Sequence, residues 1–100
     1  APVQARILPI SEKHMDYALQ VKKSLQEAGL RVELDERNEK IGYKIREAQV
    51  QKLPYMLIVG DKEAENNTIS VRTREKGDIG QSSIEDFVKE VISETSKIIN

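Results

Sequence analysis

The sequence predicts an α/β domain built on one mixed sheet, and three observations carry that prediction. Strand-like and helix-like segments alternate through the first half of the chain, the pattern of parallel strands joined by helical crossovers. Tyr55-Met56-Leu57-Ile58-Val59 is a continuous apolar run, as a central strand buried on both faces requires. A segment of period two and a last helical stripe then follow. Right-handed crossovers between the first three strands, with the apolar third strand central, give the strand order 2-1-3. Later strands add antiparallel beyond it, for five strands flanked by three helices.

Taken in order, Val3–Ile10 reads as the first strand, rich in Val, Ile and Leu. Ser11 is placed to cap a helix running to about Ala28. Met15, Ala18, Val21, Leu25 and Ala28 form one apolar stripe along it, and Gly29 suits its left-handed end. Leu30, Val32 and Leu34 alternate with Arg31, Glu33 and Asp35, a strand with one wet face. The polar loop Glu36–Lys40 leads to a second helix marked by Ile41, Ile45 and Ala48, which must end before Leu53-Pro54. Gly60 and Asp61 close the third strand. Asn66-Asn67 offers a turn, and a two-residue hairpin there would set Asp61 opposite Arg72 and Glu63 opposite Ser70. Thr68–Arg74 alternates, with Ile69, Val71 and Thr73 on one face and Ser70, Arg72 and Arg74 on the other. Gly77 and Gly80 flank a short strand-like piece, the weakest of the five strands. Ser82-x-x-Glu85 reads as a capping box, opening a helix with Ile84, Phe87, Val88, Val91, Ile92 and Thr95 on one side.

Composition narrows the function. The chain has 100 residues, 38% hydrophobic and 33% charged, read as a single domain over 1–100. It holds no cysteine, which excludes disulfides, thiolate zinc sites and cysteine nucleophiles. No run approaches the ~18 apolar residues of a membrane helix, and the start Ala1-Pro2-Val3-Gln4 has neither region of a signal peptide. It also lacks an initiator methionine, as expected either of a segment cut from a longer protein or of a chain whose methionine has been processed away to expose an alanine. The net charge of −1 means that nucleic-acid binding must rest on local patches and specific contacts. There is no GxGxxG and no P-loop lysine. The one histidine, His14, reads as a solvent-exposed or cap-region residue, and Asp35-Glu36 and Glu63/Glu65 read as surface acids. No catalytic residue and no metal-ligand set is expected.

Three segments are more specific. They are Asp35-Glu36-Arg37-Asn38-Glu39-Lys40-Ile41-Gly42-Tyr43-Lys44-Ile45-Arg46-Glu47-Ala48-Gln49, Leu53-Pro54-Tyr55-Met56-Leu57-Ile58-Val59-Gly60-Asp61-Lys62-Glu63, and Val71-Arg72-Thr73-Arg74. All three resemble the C-terminal domain of threonyl-tRNA synthetases, and the match runs in order from about Ala1 to Val91. Glu75–Gln81 and Glu94–Asn100 match loosely. The resemblance implies a cytoplasmic module, a class II anticodon-binding domain, that binds the anticodon loop of threonine tRNA beside the catalytic domain of the same chain. It also implies that Asn38, Glu63 and Arg72 contact anticodon bases. ATP, magnesium and zinc would belong to the catalytic region, with no cofactor in this segment.

The chemistry of these residues suits such a reader. Threonine anticodons carry G and U as second and third bases, and a single-stranded loop exposes their edges. An Arg fork matches guanine O6 and N7. A carboxylate accepts from guanine's imino and amino groups, and an Asn amide both donates and accepts, as a uracil edge requires. Lys40, Lys44, Arg46 and Arg74 are further candidates for phosphate contacts, and Tyr43 for stacking on a base. The plainer alternatives are a Glu63–Arg72 surface ion pair, a turn role for Asn38, a solvated helix face for Lys44 and packing of Tyr43 against the sheet. The isolated domain is expected to be monomeric. A rival function is a protein-interaction or dimerisation module on the same fold. A small-molecule α/β domain would need a Gly-rich loop after the first strand, where Leu8-Pro9-Ile10-Ser11 stands.

Overall fold

A computed structural model describes residues 3–99, with side chains described for residues 3–93. Five strands form one sheet: β1 (Ala5–Pro9), β2 (Val32–Leu34), β3 (Tyr55–Val59), β4 (Thr68–Thr73) and β5 (Gly77–Ser83). Their order is β2-β1-β3-β4-β5. β1 is parallel to both β2 and β3, and β4 is antiparallel to β3 and β5. Order and strand directions are those the sequence predicts. The fifth strand is a full strand of 7 residues. Its alternation is faint because it is a mostly exposed edge, and because its pairing with β4 slips at Val71/Arg72. Period two is strongly specified only where one face is buried.

The helices divide over the two faces. α1 (Met15–Glu27) and α4 (Ile84–Ile99) pack on the face carrying Ala5, Ile7, Leu57, Val59, Ile69 and Val71, where Val21, Leu25, Phe87 and Val91 complete the main cluster. Tyr55 and Phe87 meet edge to face there, centroids 5.2 Å apart. α2 (Ile41–Val50) lies on the other face, over Leu8, Met56 and Ile58. The cluster under α2 takes no side chain from β4 or β5, so those strands keep a polar face on that side. Three members of the expected stripes stand outside the core: Met15 is half-buried but in neither cluster, Ala28 lies beyond the helix end, and Ile92 is exposed. The side chain of Thr95 is outside the described residues. No helix among the described residues is long and apolar enough to cross a membrane.

Four local expectations are corrected. Asn66-Asn67 makes no hairpin: Asp61–Asn66 is a short helix, α3, which brings the α-helices among the described residues to four. Asp61 and Glu63 in its first turn complement the helix dipole. Asn67, at φ +56°, ends it in the left-handed conformation. The chain therefore returns later, and Arg72 pairs with Met56 and Ser70 with Ile58. The first helix is preceded by a 3-10 turn, Glu12–His14, rather than starting directly after Ser11. α4 is capped by Ser83, whose Oγ accepts the Asp86 N–H at 3.1 Å, one residue beyond the predicted box. His14 is indeed a cap residue, but it is buried. Its Nδ1 accepts the Ser11 N–H at 3.2 Å. That leaves the proton on Nε2, which donates to Asp61 Oδ1 at 2.7 Å. The contact ties the entry of α1 to the start of α3.

Candidate nucleic-acid interface

Glu63 is the centre of the best-defined polar cluster. As the third residue of α3 it turns back on the helix start, and its Oε1 accepts the Gly60 N–H at 2.8 Å. Its Oε2 accepts Ser70 Oγ–H at 2.9 Å and Gln81 Nε2–H at 3.2 Å. The carboxylate is thus buried and fixed by three donors, from the residue that caps α3, from β4 and from β5. Gly60 makes the room. A Cβ there would stand 2.5 Å from Ile10 Cδ1 and 3.2 Å from Glu63 Oε1. Tyr17 supports the cluster from the other face, donating its hydroxyl to Thr68 O at 2.7 Å. Burial, and secondarily the Glu63 charge, holds that phenol above its usual pKa, so it remains a donor.

Arg72 lies two residues from Ser70 on the same polar face, about 7 Å along the strand. It makes no ion pair with Glu63, so the surface-pair alternative does not hold among the described residues. Its Nε is buried without a hydrogen-bond partner, an unusual state for a cationic donor.

Asn38 sits on the loop beyond β2, exposed, with no side-chain hydrogen bond among the described residues. It lines a small depression of about 20 Å³ with Ile10, Ser11, Arg37 and Lys44. Ile10 also stands beside Gly60, so Asn38 and Glu63 occupy neighbouring positions beyond the carboxyl ends of the parallel strands, where open α/β sheets place ligands. The turn alternative for Asn38 fails, since the residue making the turn contact is Arg37. Its N–H donates to Asp35 Oδ1 at 3.1 Å.

The secondary candidates separate clearly. Lys40 is exposed at the start of α2, on the Asn38 loop. Tyr43 is exposed rather than packed on the sheet. Glu47 beside its hydroxyl holds its pKa above the usual value, and the Arg37 guanidinium lies 5.8 Å from its ring centroid. Arg46 is on the outer face of α2. Arg74 follows the end of β4, two residues beyond Arg72, and lies at the opposite end of the strands from Asn38, in a cleft of about 370 Å³ with Pro54, Tyr55 and Lys76. Lys44 is corrected outright. It falls on the inner stripe of α2 with Ile41, Ile45 and Ala48, it is buried, and its Nζ donates to Pro9 O at 3.2 Å. Its stem covers apolar surface and its ammonium caps the end of β1, so neither a solvated face nor a phosphate contact fits it.

Ser70, Gln81, Arg37 and Glu47 join the candidate site without having been given a role by the sequence reading, and Asp35 reads there only as a surface acid. Ser70 was within reach, because alternation already sets it on the face of Arg72. Gln81 lay in the faint fifth strand. Asp35 is buried, not a surface acid. The Arg37 side-chain hydrogen bonds, above all, hold its carboxyl below the usual range against the opposing effect of burial. A carboxyl lowered on folding from 3.8 contributes stability above that pH and loses it as pH falls through the folded value. Asp35→Asn should therefore lower stability at neutral pH and flatten the loss of stability below about pH 4. Urea melts of both proteins from pH 2 to 7 check this, and parallel pH profiles would refute it.

Among known proteins, a family model described as anticodon binding domain matches residues 4–94. A threonine–tRNA ligase of Caldanaerobacter subterraneus subsp. tengcongensis is 61% identical over 94% of this chain and 15% of its own length. One of Clostridium novyi is 53% identical over 100% of this chain and 16% of its own. The chain thus spans about 15% of the curated relatives it matches. Among solved structures, the RNA binding domain of threonyl-tRNA synthetase from Cryptosporidium parvum Iowa II superposes with a TM-score of 0.84 at 34% identity, covering 93% of this chain and 24% of that one. Prolyl-tRNA synthetase of Cryptosporidium parvum, with a TM-score of 0.83 at 24% identity over 97% of this chain and 22% of that one, shares the fold.

Proposed function

The chain belongs to the anticodon binding domain family, and from that premise we propose that it reads the G and U of the threonine anticodon as the tRNA-recognition module of a threonine–tRNA ligase. The observation that carries this reading is a Glu63 carboxylate fixed by Gly60, Ser70 and Gln81, with the half-buried Arg72, its Nε unpartnered, two residues along β4 from Ser70. An acceptor and a forked donor on one polar face match the donors and acceptors of a guanine. The Asn38 amide on the adjoining loop is free to meet the neighbouring base. Recognition here is preorganised: the acceptor is held before RNA arrives, so little ordering is spent on binding. Aminoacylation itself, with ATP, magnesium and zinc, belongs to the remainder of the ligase, in the cytoplasm.

The domain alone should bind as a monomer, weakly and with salt sensitivity, because a net charge of −1 supplies little general attraction. The test is an NMR titration with an anticodon stem-loop carrying the threonine anticodon, beside one with a changed second base. Shifts at Asn38, Glu63, Ser70, Arg72 and Gln81 with the first only are the expected result. No binding of either loop, together with dimerisation on sedimentation, would replace this reading with a protein-interaction module.

A further inference from the structure

We infer that Arg37 is a positioning residue that holds the Asn38 loop in its reading conformation without touching the RNA, a step that rests on the anticodon reading above. Residues 36–40 make no ladder contact with the sheet; the last strand-like bond before them is Asp35 N–H to Ile7 O at 3.0 Å. What ties the loop down is Arg37. Its Nε and Nη2 donate to Asp35 Oδ1 and Oδ2 at 3.0 and 2.7 Å. Its Nη1 donates to Glu47 Oε1 and Oε2 at 2.8 and 2.9 Å. One guanidinium therefore joins the end of β2 to the middle of α2, over a ring of Tyr43. Asp35 is the anchored leg, its side chain only 3% exposed. Forked pairs of this kind are directional as well as strong, and they fix the backbone one residue before Asn38. With its donors committed to two carboxylates, Arg37 has little left to offer a phosphate.

Charge and geometry can be separated by substitution. Lysine keeps the charge but cannot bridge two carboxylates in fork geometry. Arg37→Lys should therefore weaken binding of the threonine stem-loop about five- to tenfold, almost as much as Arg37→Ala, and leave the salt slope unchanged. Glu47→Ala, which keeps the buried Asp35 paired, should show the same loss in part. In an Asn38→Ala background the effect of Arg37→Lys should largely vanish, since both act through one side chain. Amide spectra and urea melts verify that each variant is folded. Full binding by Arg37→Lys, a salt slope reduced by about 0.7 in Arg37→Ala, or simple additivity with Asn38→Ala would each overturn the inference. If Asn38→Ala is itself silent, the anticodon reading of that loop fails, and this inference falls with it.

Discussion

Arg72→Ala should cost about 1–3 kcal/mol of binding to the threonine anticodon stem-loop, the worth of one good bidentate base contact. The loss should depend on the base. A loop whose second base is not G never formed that contact, so its weaker binding should barely change. The fold should tolerate the substitution, because Arg72 is half-buried on the polar face of β4 and its Nε has no internal partner to lose. Lys40→Ala is the proper control. Lys40 is exposed on the same loop as Asn38, and a phosphate contact there should weaken both loops alike and lower the salt slope by about 0.7. Lys44, with its ammonium on Pro9 O, cannot serve that purpose. Isothermal titration of both loops at two salt concentrations measures all four quantities. An equal loss for the two loops in Arg72→Ala would reduce Arg72 to general electrostatics.

How much of this was legible in the sequence depends on how far each feature is local. The β3 run Tyr55–Val59 is observed with the same bounds as read, because burial on both faces writes an unbroken apolar segment. The sheet order followed from it. The resemblance to the C-terminal domain of threonyl-tRNA synthetases is borne out by the family model and the relatives. What was not legible depended on choices between close alternatives. Asn67 tolerates positive φ whether it closes a hairpin or ends a helix, and only tertiary pairing decided for α3. Lys44 looks like a surface residue by type, yet its spacing from Ile41, Ile45 and Ala48 places it on the buried stripe. His14 lacked a visible partner because Asp61 is 47 positions away. The Arg37 clamp has the same character: Asp35 is a neighbour, but Glu47 is reached only through the fold.

Glu63→Gln is the sharpest test of the proposed reading site, because it separates the capping role the structure shows for Glu63 from the proposed contact to guanine. In the free domain its carboxylate accepts from Gly60 N–H, Ser70 Oγ–H and Gln81 Nε2–H. A glutamine keeps one acceptor oxygen, which the Gly60 N–H claims. Its NH₂ then replaces Oε2. The Ser70 hydroxyl can rotate to accept from it, and the exposed Gln81 amide must flip to present its oxygen or turn away. The resulting stability loss should be about 1–2 kcal/mol, that of disturbed hydrogen bonds to a charged group, and urea melts at pH 7 report it. Binding is a separate measurement on protein that remains folded. The new NH₂ points a donor at guanine's own donors, so the affinity loss should approach that of Arg72→Ala. The double variant should lose far less than the sum, because one base couples the two side chains. Titrating the stem-loop into wild type, both singles and the double gives the coupling directly. A stability loss with a binding change under about 0.5 kcal/mol, or plain additivity with Arg72→Ala, would leave Glu63 as a cap for α3 and remove it from base recognition.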